Sequence, residues 1–316
     1  MVALMIKIPN DDIQREVFEA RLKHHDFHWH NKTNQIHGDF FYIPFKDGRP
    51  TTDEFLTYLA HQAISYAVPF HQRKEAFNTS TPSDLTKIML LKKKAKDLFM
   101  DLDTSGEFGE LILYLILRDF FDAPQMVCKM ALKTNPNMPV FGADAIHVGF
   151  NGHTMILYHG ESKMFSENTP THAIKESINS SENFLKNKKL KNGARARDFE
   201  INLISSHFSV PNCSQEQKEM ILNYLNPLRK EYNDSKDVAV CLIGFDLDFY
   251  KKQHPINDIE DIFKQKYKKD IDNATSVFES HVNTKSLSQY NFHFILLPFE
   301  SIEAFRQKFL ERLNEV

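Results

Sequence analysis

A chain of 316 residues is long enough for one large domain or two modest ones, and 41% hydrophobic with 26% charged residues excludes a disordered or fibrous protein. A net charge of −3 excludes broad, nonspecific attraction to nucleic acid, so any such contact must come from local basic clusters. Cys128, Cys213 and Cys241 are too few and too scattered for a disulfide framework or a C-x-x-C zinc site. The apolar start at 1–6 is broken by Lys7 before it reaches the length of a secretory signal, and no window approaches the roughly 18 uncharged apolar residues of a membrane span. A reducing, cytoplasmic setting with no membrane partner is expected. Twenty-seven Phe against ten Gly predicts element-rich packing with few glycine loops.

In chain order, the apolar run 40–45 predicts a strand, followed by a Lys-Asp-Gly-Arg-Pro turn and a helix from Thr52 marked by Phe55, Leu56, Leu59 and Ala63. A polar linker at 79–82 precedes a helix over 85–100 whose exposed side carries Lys92, Lys93, Lys94 and Lys96. Between 104 and 208 the pattern reads as a helix at 111–121, strands at 126–132, 141–148 and 155–163, a helix at 172–186 and a strand at 199–204. Beyond a Pro-Asn-Cys-Ser loop come a helix at 215–232, an apolar strand at 238–245, a long charged helix at 257–282, a strand at 292–298 and a helix at 301–314. The expected fold class is α/β, in the α+β sense, with a mixed sheet. An N-terminal α+β region occupies 1–100, an αβββαβ core 101–210, and an α/β extension packed on that core 211–316.

The stretch that carries chemistry is Gly142-Ala143-Asp144-Ala145-Ile146, then sixteen residues running from Ala145 to Gly160, then Glu161-Ser162-Lys163. Side chains on a strand alternate, so Glu161 and Lys163 share a face, and a turn at Asn151-Gly152 lets Asp144 sit beside them on the neighbouring strand. Paired carboxylates hold Mg²⁺ or Mn²⁺, which polarises a phosphodiester and lowers the pKa of a bound water, while a lysine orients that water or neutralises charge developing on the phosphate. A Glu-x-Lys tripeptide alone is common on exposed strands. Asp144, after a Gly and at hairpin distance, is what lifts the pattern above that background.

A third carboxylate comes from the preceding helix. Glu107 follows Thr104 by three residues and reads as half of a capping box, or as a residue behind the metal ligands. Glu110 shares the apolar stripe of Leu113 and Leu117, where a carboxylate is costly unless it is paired or bound to metal. The runs Ser-Gly-Glu-Phe-Gly-Glu-Leu-Ile-Leu-Tyr at 105–114, Gly-Ala-Asp-Ala-Ile-His at 142–147 and Leu-Tyr-His-Gly-Glu-Ser-Lys at 157–163 resemble the HamA family, the nuclease component of the Hachiman antiphage defence system. The likeness is looser through Phe-Ile-Leu-Leu-Pro-Phe at 294–299. It implies a PD-(D/E)xK restriction-endonuclease-like fold, Mg²⁺-dependent cleavage of DNA, and a helicase-family ATPase as the controlling partner. By motif, Asp144, Glu161 and Lys163 take the Asp, (D/E) and Lys positions, and Glu110 takes the helix Glu. All four are expected to be catalytic, with the three carboxylates as metal ligands. Gly142-Ala143 stands where the motif has Pro. The alternative is a catalytically silent scaffold of the same fold that binds DNA or the helicase.

Two further clusters stand out. Lys186, Lys188, Lys189, Lys191, Arg195 and Arg197 would border the site, and Lys188, Lys189, Lys191, Arg195 and Arg197 are the expected phosphate contacts, although such runs are usually solvated loops. His24 and His28 are one helical turn apart within His24, His25, His28, Trp29 and His30, but no acidic or Cys signature completes a zinc site, and a solvated or partner-facing patch is the simpler reading. His159 shares the face of Glu161 and reads as a structural residue.

Overall fold

The computed structural model describes residues 14–33, 35–77, 82–99, 106–133, 142–190, 193–252, 254 and 258–315. Expectations that rest on residues 1–13, Thr79, Met100, Thr104, Ser105, Phe141, Lys191 and Asn257 lie outside the described residues. Helix α1 (Arg15–Arg21) leads into two short strands, β1 (Lys23–His24) and β2 (Trp29–His30), which both pair antiparallel with β3 (Ile36–Tyr42). Pro44 follows soon after β3, and β4 (Phe45–Lys46) and β5 (Arg49–Pro50) close a small hairpin on Asp47 and Gly48, both at positive φ. Helices α2 (Thr52–Ala67), α3 (Phe70–Phe77) and α4 (Pro82–Leu98) follow.

Helix α5 (Glu107–Leu115) buries Phe108, Leu111, Ile112 and Leu115 at helical spacing and widens into a π-turn over Ile116–Phe120. The hairpin β6 (Ala145–Asn151) and β7 (Thr154–Met164) turns at Gly152, whose φ is +60°. Then come α6 (Thr171–Leu185), α7 (Ala196–His207), α8 (Gln215–Leu225), β8 (Ser235–Asp246), α9 (Ile259–Thr284), β9 (Asn291–Phe299) and α10 (Ile302–Glu315).

Three expectations are corrected. Residues 126–132 are not a strand: after Pro124 a single bridge joins Gln125 to His147, the Met126 N–H donates to the Ile146 carbonyl, and the chain coils into a 3₁₀ turn at Lys129–Leu132. Residues 199–204 lie inside α7, whose buried positions Ala196, Glu200 and Ile204 recur every four residues. The helix from Gln215 stops at Leu225, because Pro227 cannot continue it. The fourth strand of the sheet region around the site is therefore β8, and α7 and α8 stand between it and α6.

The main sheet runs β1-β3-β9-β8-β7-β6, with β3, β9, β8 and β7 mutually parallel and β6 antiparallel at the edge. It is a mixed α/β architecture, as expected. The inner parallel strands are apolar on both faces, as strands covered on both sides must be: from Ala239 to Asp246 every residue of β8 is buried. Helices α2, α5 and α10 lie on one side; α6 and α9 cover the other. A second apolar cluster of Ile146, Val148, Met155 and Leu157 with Phe184, Ile204, Ile221 and Leu225 seats α7 and α8 on the β6–β7 hairpin.

Candidate active site

The β6–β7 hairpin sets the geometry. Ala145 pairs with Gly160, and the Asp144 N–H donates to the Gly160 carbonyl at 2.9 Å, which carries Asp144 to the position opposite Glu161. The Asp144 carboxylate accepts the Ser162 N–H at 2.8 Å, so backbone donors fix it across the strand pair. Glu161 and Lys163 point to one face, as their spacing requires, with Nζ 3.5 Å from the Glu161 carboxylate. Glu161 is buried and Lys163 partly so.

Helix α5 crosses the opposite face of β7 and fits closely there, since a Cβ on Gly109 would meet Ser162 Oγ at 2.5 Å and one on Gly160 would meet Leu113 at 2.7 Å. Its first turn brings Glu110 within the field of Asp144, while the Tyr66 hydroxyl of α2 donates to Glu110 at 2.7 Å. Burial, followed by the charge of Asp144, pushes both Glu110 and Glu161 up to about 8. Burial alone would depress Lys163, but the charges of Glu161, Asp144 and Glu110 outweigh it and raise its pKa. Lys163 faces the three carboxylates directly, and the charge of Lys129 also lowers the pKa values of Glu110 and Glu161. The oxygens of the three carboxylates do not all lie within 4.8 Å of one another. Glu107 is the first residue of α5, after Gly106, so it occupies no third position of a capping box; it pairs with Lys133 and adds its charge near Glu110.

The sequence model of the HamA family matches residues 16–313, nearly the whole chain. The chain belongs to the HamA family. HamA is the Hachiman defence subunit, and membership places this protein in antiphage defence. No curated protein matches it.

Two residues beside this cluster escaped the sequence reading. The Lys129 ammonium is buried and donates to the Ala143 carbonyl, while Glu200 accepts the Ala143 N–H at 2.5 Å and lies 3.9 Å from Lys129. The pair grips both polar groups of the residue before Asp144. Gly142 makes room for it at φ +109°, where a Cβ would run into both side chains, and this is the local reason for glycine here. A buried Lys and Glu inside apolar stretches were the only signal, and each was masked by an apparent strand pattern.

His159 is structural, stacked on Phe184 at 3.9 Å, with burial pushing its pKa down to about 3. The basic segment is largely engaged within the protein. Lys188 lies 2.8 Å from Glu182, Arg197 lies 2.7 Å from Asp237, and the Arg195 guanidinium donates to the Asn187 carbonyl at 3.2 Å. Lys189 and Arg195 are exposed beside one another on an isolated bridge. In the N-terminal region His25 is buried and bonded to the Lys264 carbonyl, and His24 meets Asp39, so these two are not a solvated patch. No helix among the described residues is long and apolar enough to cross a membrane.

Proposed function

We propose that this chain is a metal-dependent phosphodiesterase of the PD-(D/E)xK kind acting on DNA, in which Glu110, Asp144 and Glu161 hold Mg²⁺ or Mn²⁺. The observation that carries the reading is the geometry of the cluster: Asp144 set opposite Glu161 on the β6–β7 hairpin, Glu110 brought in by α5 and held by Tyr66, and the Lys163 ammonium 3.5 Å from Glu161. Such oxygen donors suit a hard divalent ion, which would relieve the repulsion they suffer alone. Once bound, the ion polarises a phosphodiester and lowers the pKa of a coordinated water.

The protein's own groups do the positioning. The Ser162 N–H aims Asp144, Tyr66 holds Glu110, and the Lys129–Glu200 clamp fixes the backbone that delivers Asp144. Lys163, kept cationic, neutralises charge developing on the phosphate. Lys189 and Arg195 are exposed for phosphate contact, with Lys188 and Arg197 available only by exchanging their present partners. The family resemblance adds a helicase-family ATPase as the partner that controls cleavage.

The test is cleavage of duplex and single-stranded DNA in Mg²⁺ against EDTA, alone and with any helicase encoded beside this chain. Glu161→Ala and Lys163→Ala should each lower the rate on the order of 10³-fold while circular dichroism shows an intact fold. Full activity in both folded variants would sink the site. Absence of Mg²⁺ binding by calorimetry would favour the silent scaffold.

A further inference from the structure

A second set of metal-type donors gathers at the far end of the sheet. β1 supplies His24, the loop after it His28 and β3 Asp39, and one donor atom from each lies within 4.8 Å of the other two. Among the described residues no other three His, Cys, Asp or Glu side chains come so close. Asp39 Oδ1 is 2.7 Å from His24 Nε2 and 3.9 Å from His28 Nδ1, while Oδ2 meets His293 Nε2 at 2.5 Å.

This group is separate from the carboxylate cluster. Strand register lines up His293, Val240 and Gly160 on one face, with Asp39 and His37 on the same side, whereas Glu161 and Lys163 occupy the other face. Asp39 and Glu161 are also three strand spacings apart across the sheet, on the order of 14 Å. No side chain is shared between the two.

A His–Asp hydrogen bond by itself needs no metal. The added fact is that two imidazoles, from different segments, converge on one carboxylate oxygen. The loop bearing His28 is pinned so that they do: the buried His25 ring accepts the Phe27 N–H at 3.0 Å and bonds the Lys264 carbonyl at 3.2 Å, and Lys264 pairs with Asp26 at 2.6 Å. Phe41, Phe120 and Phe121 wall the site, with ring centroids 4.5 to 5.1 Å from His24 or His293. Tetrahedral zinc, with bonds of about 2.0–2.1 Å, separates its ligand atoms by about 3.3 Å. The His24–Asp39 contact would open, and the His28–Asp39 distance close, by about 0.6 Å each, within reach of small side-chain rotations.

We propose that His24, His28 and Asp39 form a second metal site, for Zn²⁺, with His293 holding the carboxylate from behind and a fourth position open to solvent. The donor set of two imidazoles and one carboxylate oxygen suits zinc and disfavours Mg²⁺ and Ca²⁺. His28, whose side chain is 73% exposed, faces that open position, and His293 acts through Asp39 as a positioning residue. The ion would tie the 25–28 loop to the sheet.

The experiment uses the full chain without an affinity tag, stripped with EDTA, dialysed against Zn²⁺ and assayed for bound metal, with Co²⁺ as an absorbing probe. One equivalent should be retained by the wild type and by Glu161→Ala, which damages only the other cluster. His28→Ala, at an exposed loop position where the fold has least at stake, should weaken binding at least about 100-fold and abolish the visible Co²⁺ bands. Asp39→Asn should do the same. The proposal fails if the wild type retains no zinc, if His28→Ala binds as tightly as the wild type, or if zinc is lost with Glu161→Ala instead.

Discussion

Helix α2 sends two tyrosines to two carboxylates, one buried and one partly buried, and the contrast between them separates scaffold from site. Tyr58 donates to Asp119 at 3.2 Å, within a network that is saturated: Arg118 grips Asp119 through Nε at 2.8 Å and NH2 at 2.7 Å, its NH1 reaches Gln62 and Tyr114, and the Gln14 N–H completes Asp119. Neighbours in a regular α-helix diverge, and this adjacent pair closes where the helix widens to a π-turn. Two turns along α2, Tyr66 donates to Glu110, where the charges of Asp144 and Glu107 crowd in, and Lys163 and Lys129 only partly balance the cluster of Glu110, Asp144 and Glu161. Charge that is matched inside the protein stabilises it. Charge left unmatched makes room for something from outside.

The largest expected effect breaks the matched network. Asp119→Ala strands a buried guanidinium and should cost about 3–5 kcal/mol in denaturant unfolding. A loss under about 1 kcal/mol would mean the network is not closed as described.

Next comes acid. His147 is wholly buried, its Nδ1–H donates to the Ala123 carbonyl at 2.7 Å, and burial pushes its pKa down to about 4. Because the folded value lies below the unfolded one, the unfolded chain binds the extra proton first, so stability is full above about pH 6.5 and is lost as the pH falls towards 4. The loss is on the order of 3 kcal/mol. Glu110 and Glu161, both raised to about 8, gain stability over the same fall in pH, so the loss is read as the difference in pH dependence between the wild type and His147→Phe; no difference over that window would contradict this.

The unmatched side is sharpened by smaller changes. Lys129→Met paired with Glu200→Gln, which leaves no buried charge unpaired, should lower DNA cleavage about 10- to 100-fold with the fold kept, since it loosens the backbone before Asp144 rather than removing a ligand. Glu161→Gln, assayed in EDTA at pH 8, should leave stability unchanged or raise it by about 1 kcal/mol, the reverse of Asp119→Ala, by removing a charge that burial disfavours. Destabilisation of 2 kcal/mol or more would erase the contrast. Tyr66→Phe, which deletes one hydrogen bond, should cost least, about 1 kcal/mol in metal affinity.

The strands that were legible carried their own evidence: β8 and β9 as unbroken apolar runs, β7 by the alternation that puts Glu161 and Lys163 together. The two misread segments failed for one reason. Phe199, Ile201 and Leu203 alternate with polar residues as a strand would, and the true helical face is disguised because Glu200, a carboxylate, occupies its centre. Residues 126–132 likewise look apolar throughout until Lys129 turns inward. The clamp was invisible because its buried charges meet each other and the Ala143 backbone through contacts 14 and 57 residues away in sequence. Asp39 was hidden similarly, its third imidazole arriving from β9, 254 residues on.

The order of strands also dictates when this molecule can be finished. β3 and β8 never touch; β9, at residues 291–299, lies between them and pairs in parallel with both. A chain emerging from the ribosome therefore holds two separate ribbons, one built on β3 and the other on β6, β7 and β8, from the time β8 is made at 235–246 until β9 follows at 291–299. Parallel pairing across some 250 residues is among the slowest contacts a chain can form. Asp39 waits for His293 until that last strand slides in, and the two ribbons become one sheet only then.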